Sequence, residues 1–329
     1  MTGWLILHAA IAAMATWAAC RYAIGRDLLD HPGERRSHSV ATPRGGGIAL
    51  VLALLVAACA LAFRQPQHRV LLAAFVVGIT MVAVAGLVDD HRPLSPWLRL
   101  LVHALAGLVF GAAMQLTFGL PWLSVVAVLA VLVLTNIWNF MDGINGIAAS
   151  QAMVVGIALA WVAGGVWAWL ALALVAACIG FLPFNFPRAR IFMGDVGSGA
   201  LGFAVAAIGA VALAQRGPVG LLLLLPLSAF LVDAGLTLLR RVLRGERWWT
   251  AHTQHAYQVG ARQVGHTIVT SIYVAWTALG LAMASVLASR GADVAVAVGT
   301  AWYLAAAFAW WAVQRLEPGM ASNNNKGNA

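Results

Sequence analysis

Apolar residues in this 329-residue chain run in long unbroken stretches, not in the i, i+3, i+4 stripes of a water-soluble helix. A helix needs roughly 20 such residues to cross a hydrocarbon layer about 30 Å thick. By that measure the chain predicts eleven spans, over about 3–24, 47–63, 69–88, 98–117, 121–139, 144–164, 166–184, 197–215, 217–239, 267–288 and 294–313. The fold class is therefore all-α, a polytopic membrane helical bundle, with no evident internal repeat. One integral membrane domain is expected over 1–315, and a disordered tail over 316–329, where Asn323-Asn324-Asn325 stands. The first run lacks a charged n-region and a small-residue cleavage site, so it is expected to stay as a span.

Composition agrees. Hydrophobic residues make up 62% of the chain and charged residues 9%, against roughly 45–50% and 25% in soluble domains. The net charge of +9 raises the question of nucleic acid. The basic residues, however, lie scattered between apolar runs, with no dense stripe interleaved with aromatics, which excludes that class of partner. Cys20, Cys59 and Cys178 all sit inside apolar runs, as small packing residues and not as a disulfide framework or metal cluster.

The charges also orient the bundle. Sixteen of the 20 Lys and Arg flank the odd-numbered loops or the C-terminal tail, which places those in the cytoplasm and the N-terminus outside. Of the 11 acidic residues, only Asp293 falls in an outward loop, and Asp233 lies within the ninth span. Asp89-Asp90, Asp142 and Asp195 each stand where an apolar run ends, among Asn, Gly and Met. Polar groups gathered at span ends on one side point to a shared site facing the cytoplasm.

Asp89-Asp90-His91-Arg92-Pro93 closes the third span. Adjacent carboxylates repel unless a cation or proton lies between them, and an oxygen-rich site suits Mg²⁺, with Mn²⁺ as an alternative. The same residues could simply stop a helix and start a turn. Asn136, Asn139 and Asp142 follow i, i+3, i+6 spacing and so share one helical face, ahead of Gly143, Asn145 and Gly146. They form either a polar site or interhelical hydrogen bonds.

Asn185-Phe186-Pro187, Arg188 and Phe192-Met193-Gly194-Asp195 lead into Gly197-Ser198-Gly199. A helix start there favours phosphate, and Asp195 could hold the metal that binds it, or serve as an ordinary N-cap. In the last hydrophilic loop Arg240 and Arg241 are read as positive-inside anchors. His252 and His255 share a face if that piece is helical, with diphosphate contact preferred over zinc. Asp233, about seven residues inside the ninth span, faces the bundle interior. In the first cytoplasmic loop, His38 and Arg44 offer anion contacts among Pro and Gly.

In this order and on one face, these motifs resemble the polyprenyl-phosphate N-acetylhexosamine-1-phosphate transferase superfamily, over about residues 28–260. The family's Asp-Asp pair is matched by Asp89 and Asp90. Its Asn-x-x-Asn-x-x-Asp-Gly segment is matched by Asn136, Asn139, Asp142 and Gly143, and its Phe-Met-Gly-Asp element by Phe192 to Asp195, with Asn185 and Pro187 upstream. Its Pro-x-Arg-x-Gly-Gly motif corresponds to Pro43, Arg44, Gly46 and Gly47, displaced by one extra glycine. The last loop departs from the denser histidine cluster of the lipid I synthase branch. His252-x-x-His255-Ala256-Tyr257-Gln258 is more similar to the bacterial branch that initiates O-antigen and other surface polysaccharides, and eleven spans fit that branch better.

The resemblance implies a Mg-dependent phosphoglycosyltransferase of the bacterial inner membrane. Its substrates would be a UDP-N-acetylhexosamine and undecaprenyl phosphate, with a homodimer left open. It implies Asp195 as metal ligand with Asn139 beside it, Asp89 at the lipid phosphate, and Asp90 supporting metal or base. Asn136, Asp142, Asn145, Asn185, Arg188, His252 and His255 are implied at the nucleotide and diphosphate, with Arg44 and Asp233 in support. The active-site loops would be 28–47, 89–99, 136–146, 185–199 and 240–260. The alternatives are a lipid I synthase-type transferase and a membrane transporter, though a transporter usually carries repeats or charges near the midplane.

Overall fold

The computed structural model describes residues 1–30, 41–247, 249–250 and 252–316. Long helices follow the expected order: α1 (Thr2–Gly25), α2 (Ile48–Arg64), α3 (Arg69–His91), α4 (Pro96–Phe118), α5 (Pro121–Met141), α6 (Ile147–Val162), α7 (Gly165–Asn185), α8 (Asp195–Arg216) and α9 (Leu224–Leu243). A short α10 (Ala256–Val264) precedes α11 (His266–Leu287) and α12 (Ala292–Gln314). The chain is a multi-pass membrane bundle. Its only strands among the described residues are Leu29–Asp30 and Thr42–Pro43, paired antiparallel. The expected tail from 317 onward, and His38 in the first loop, lie outside the described residues.

Local chemistry sets the boundaries. Pro96 and Pro121 occupy the first turns of α4 and α5, where a missing N–H costs nothing. The Ser95 side chain accepts from the Leu98 N–H, and α4 ends at Gly119 in the left-handed region. Two expectations need correction. The ninth span opens with a 3-10 stretch (Gly217–Leu223) and its helix runs on to Leu243, so Asp233 lies ten residues from its end, not seven. In the last loop, α10 is an amphipathic helix that buries Ala256, Tyr257, Val259 and Ala261.

Helix α8 is the innermost element. Every residue from Val196 to Ile208 is buried, and most are small, so α5, α3, α2 and α6 pack on it closely. Below the site, Phe75, Phe110, Trp167 and Phe203 interlock edge-on or tilted, with ring centroids 5.6–6.3 Å apart. Few α1 and α12 residues are buried, as suits helices facing lipid. The C-terminal ends of α3, α5, α7 and α9 and the N-terminal ends of α4, α8 and α10 meet at one end of the bundle, tied by the contacts below.

Candidate active site

The site begins where α3 hands its last residues to the start of α8. Asp90, 6% exposed, accepts from the Asp195 N–H at 3.0 Å on Oδ1 and the Val196 N–H at 3.2 Å on Oδ2. It caps α8 from a neighbouring helix, satisfying donors that a helix start leaves open. Gly194 (φ +74°) makes this approach possible, because a Cβ there would come within 2.5 Å of the Asp90 carboxylate. Arg44 Nη2 donates to the Asp90 carbonyl. The first-loop motif then zips onto the Phe192-Met193 segment, through Gly46 N–H to Phe192 O at 2.9 Å and Gly47 N–H to Met193 O at 2.8 Å. Two motifs nearly 150 residues apart in sequence are thus one backbone unit.

Asp89 and Asp195 flank a single cation. Arg99 Nη1, from the first turn of α4, donates to Asp195 Oδ2 at 2.8 Å and to Asp89 Oδ2 at 3.1 Å. The other Asp89 oxygen accepts from the Leu94 N–H. Asn139 donates Nδ2 to Ser198 Oγ at 3.2 Å, one turn along α8 from Asp195. Of these groups Arg99, Asn139 and Asp195 border a cavity of about 300 Å³. Its lining mixes polar groups, among them Arg99, Asn136, Asn139, Asp195, His252 and His255, with the apolar side chains of Trp97, Leu100, Leu238 and Trp249.

The remaining predicted residues separate into two groups. His252 and His255 do meet, with ring centroids 4.8 Å apart, but not on a helix: His255 is the N-cap of α10 and His252 lies before it. Asp233 sits behind His255, its Oδ1 3.6 Å from Nδ1. It accepts from the Ala256 N–H (2.8 Å), the Tyr257 N–H (3.0 Å), the Tyr273 hydroxyl (2.7 Å) and the Thr237 hydroxyl (3.2 Å). Asp233 thus caps α10 from α9, much as Asp90 caps α8 from α3.

Asp142 stands just past the end of α5. Burial first, then the negative fields of Asp195 and Asp90, hold its carboxyl well above the usual carboxylate range. Asn136 donates to Leu132 O in its own helix at 2.7 Å while lining the cavity. Asn145 lies away from the cavity wall, its Nδ2 on Pro187 O at 3.0 Å.

Asn185 needs correction as a ligand contact. It is buried, with Oδ1 taken by the Gly146 N–H (2.9 Å) and Nδ2 by Ile191 O (2.9 Å). It braces two loops and has little left for a substrate. Arg188 is exposed on its loop and does not line the cavity.

Burial, then the neighbouring His255 and Arg241, push the His252 imidazole down to about 4. Between roughly pH 6.5 and that value the unfolded chain binds a proton that the folded chain refuses. Its contribution to stability therefore declines as pH falls across that window and is flat below it. NMR of protein carrying ¹⁵N-labelled histidine should find His252 neutral at pH 5.5, and a midpoint near 6.5 would contradict this geometry.

The donor set fits a hard cation. Asp89, Asp195 and the amide oxygen of Asn139 are all oxygen ligands, beside a cavity large enough for phosphates. Among the described residues no group of three or more His, Cys, Asp or Glu forms a cage. Mg²⁺ needs none, since it is commonly held by one or two carboxylates plus substrate phosphates.

Sequence reasoning missed Arg99, Ser198, the Trp97–Trp249 pair (centroids 6.0 Å apart) and Tyr257, whose hydroxyl donates to Phe140 O at 3.0 Å. One signal was available for Arg99. A cation in the first turn of a helix sits at the wrong end of the macrodipole and needs an acidic partner.

The chain is also similar in sequence to known proteins. A family model described as Glycosyl transferase family 4 matches residues 72–213, the stretch from α3 through α8 that holds Asp89, Asp90, Arg99, Asn139 and Asp195. The chain is 28% identical to a decaprenyl-phosphate N-acetylglucosaminephosphotransferase of Mycobacterium leprae, over 75% of this chain and 74% of that protein. It is 26% identical to an undecaprenyl-phosphate alpha-N-acetylglucosaminyl 1-phosphate transferase of Thermotoga maritima, over 78% and 81%. It is 29% identical to a phospho-N-acetylmuramoyl-pentapeptide-transferase of Heliobacterium modesticaldum, over 78% and 86%. The family-4 match covers the part of the membrane bundle that carries the site. These matches support a place in the polyprenyl-phosphate hexosamine-1-phosphate transferase superfamily.

Proposed function

We propose that this chain transfers an N-acetylhexosamine-1-phosphate from a UDP-sugar to undecaprenyl phosphate, or a similar polyprenyl phosphate, and releases UMP. The observation that carries the reading is the Asp89–Arg99–Asp195 constellation, beside a cavity lined by both polar and apolar side chains. Such a cavity suits a sugar diphosphate meeting a lipid phosphate. The excess of Lys and Arg at the same end supports a site facing the cytoplasm, in a bacterial inner membrane. The sparse His252-x-x-His255 loop supports initiation of O-antigen or another envelope polysaccharide over lipid I synthesis.

In the reaction an oxygen of the lipid phosphate forms a bond to the β-phosphorus as the bond to UMP breaks. Such transfer depends on positioning and charge neutralisation. Asp89, held by Leu94 and Arg99, orients the lipid phosphate or takes its proton. Asp195 and Asn139 would hold Mg²⁺, which when bound neutralises phosphate charge. Asp142 serves the nucleotide side, and His252 and His255, which line the cavity, the diphosphate. His252, neutral at physiological pH, acts there as an N–H donor and not as a cation. Asp90, Asp233, Asn185 and Arg44 hold the loops that carry these groups.

The test is UMP release by purified protein with undecaprenyl phosphate and a panel of UDP-N-acetylhexosamines, including UDP-MurNAc-pentapeptide. Lipid-dependent release with one UDP-HexNAc, abolished by EDTA and restored by Mg²⁺, is expected. Turnover of the pentapeptide substrate alone would move the chain to the lipid I synthase branch. Folded protein silent across the panel would overturn the reading.

A further inference from the structure

Arg241 is one of the two arginines that the sequence offers only as membrane anchors. Its surroundings are not those of an anchor. It is 3% exposed, and its guanidinium sits inside the loop that follows α9. Nε donates to Glu246 Oε2 at 2.8 Å, Nη1 to Thr250 O at 3.1 Å, and Nη2 to Arg247 O at 3.0 Å and Thr250 Oγ1 at 3.1 Å. The backbone closes the same loop, since the Glu246 N–H donates to Arg241 O at 3.0 Å and the Thr250 N–H to Arg247 O at 3.1 Å. Glu246 passes the tie onward by accepting from Gln254 Nε2 at 3.1 Å.

Of the residues bonded to this guanidinium, Thr250 lines the cavity, next in sequence to Trp249 and close to His252. Trp249, Thr250, His252 and His255 all line it, and none belongs to a long helix that would fix it independently. A second tie comes from α12, where Gln314 Nε2 donates to Gln254 O at 2.8 Å and Gln314 Oε1 accepts from Arg240 Nη1 at 2.8 Å. A planar fork with five N–H groups can meet four acceptors spread over residues 246–250. An ammonium, with three donors and no fork, cannot reproduce that pattern.

We infer that Arg241 is a positioning residue for the transferase, a buried clasp that holds Glu246, Arg247 and Thr250 and so sets the cavity lining on the sugar-nucleotide side. The inference rests on the function proposed above for this cavity. In that reading this segment serves the donor diphosphate, while Asp89 serves the lipid phosphate. Loosening the clasp therefore weakens one substrate and spares the other.

The experiment uses the full chain in detergent, wild type beside Arg241→Lys. Losing the charge-assisted bonds to Arg247 O and Thr250 O should raise KM for the UDP-sugar about tenfold or more. KM for undecaprenyl phosphate should be unchanged. A merely structural role would reduce the active fraction, lowering kcat with both KM values intact, and that result overturns the inference. Hydrogen exchange gives a readout independent of turnover. The amides of Thr250 and Gln254 should exchange about tenfold faster in Arg241→Lys, and unchanged protection overturns the clasp even if the wild type shows no transferase activity. Should Arg241→Lys fail to fold, Glu246→Gln weakens one clasp bond and carries both readouts, with a smaller rise in donor KM and in exchange expected. Wild-type silence on every UDP-sugar counts against the proposed function, and the exchange data still decide the clasp.

Discussion

Asp195→Asn should reduce UMP release by about 10³-fold or more while leaving the protein as stable as the wild type. Asparagine keeps the size of the side chain, and the link that holds α8 to α3 uses the Asp195 backbone N–H, which the substitution does not touch. What is lost is one negative charge beside Asp89, Asp90 and Asp142, in a cluster where Arg99 is shared by two carboxylates. Removing a like charge relieves repulsion, so the melting temperature should hold or rise. Catalysis should suffer because the substrates bring several phosphate charges and the site has lost the carboxylate proposed as the metal ligand. The measurement is UMP release against Mg²⁺ concentration, alongside a melting curve. Near-full activity at limiting Mg²⁺ would remove Asp195 from the metal role.

Much of this was legible because a membrane imposes long apolar runs, and a polar group at the end of one stands out. The order of the long helices and the convergence of Asp89, Asn139, Asp142 and Asp195 on one end both followed from that contrast. What stayed hidden has common causes. Helix α10 is short and amphipathic, so it carries no apolar run. The 3-10 opening of the ninth span has the same composition as a helix. Asn185 looked like a ligand contact because a sequence shows that a polar group needs partners but not which ones, and its partners are the Gly146 N–H and Ile191 O. Arg241 was misread for the converse reason. An arginine after an apolar run is an anchor by default, and only the fold shows that four acceptors surround it.

The Asp89-Asp90 pair illustrates the same limit, and its second member carries the other large effect. Asp90→Asn should lower activity by about 10²-fold and, unlike Asp195→Asn, should also lower the melting temperature by several degrees. Both Asp90 oxygens accept from N–H groups at the start of α8. An asparagine offers one acceptor, and its NH₂ would face the second N–H, leaving a buried donor opposed by a donor. Each charge-assisted bond of this type contributes about 1.5–3 kcal/mol. The first turn of α8 also places Asp195, and a shift of about 1 Å in a reacting group can cost 10²-fold in rate. Gly194→Ala tests the same junction from the other side, since its Cβ would fall within 2.5 Å of the Asp90 carboxylate at a backbone φ of +74°. It should reproduce both effects while keeping every charge. If Asp90→Asn lost activity with an unchanged melting temperature, and Gly194→Ala behaved like wild type, Asp90 would act on the substrates and not through α8.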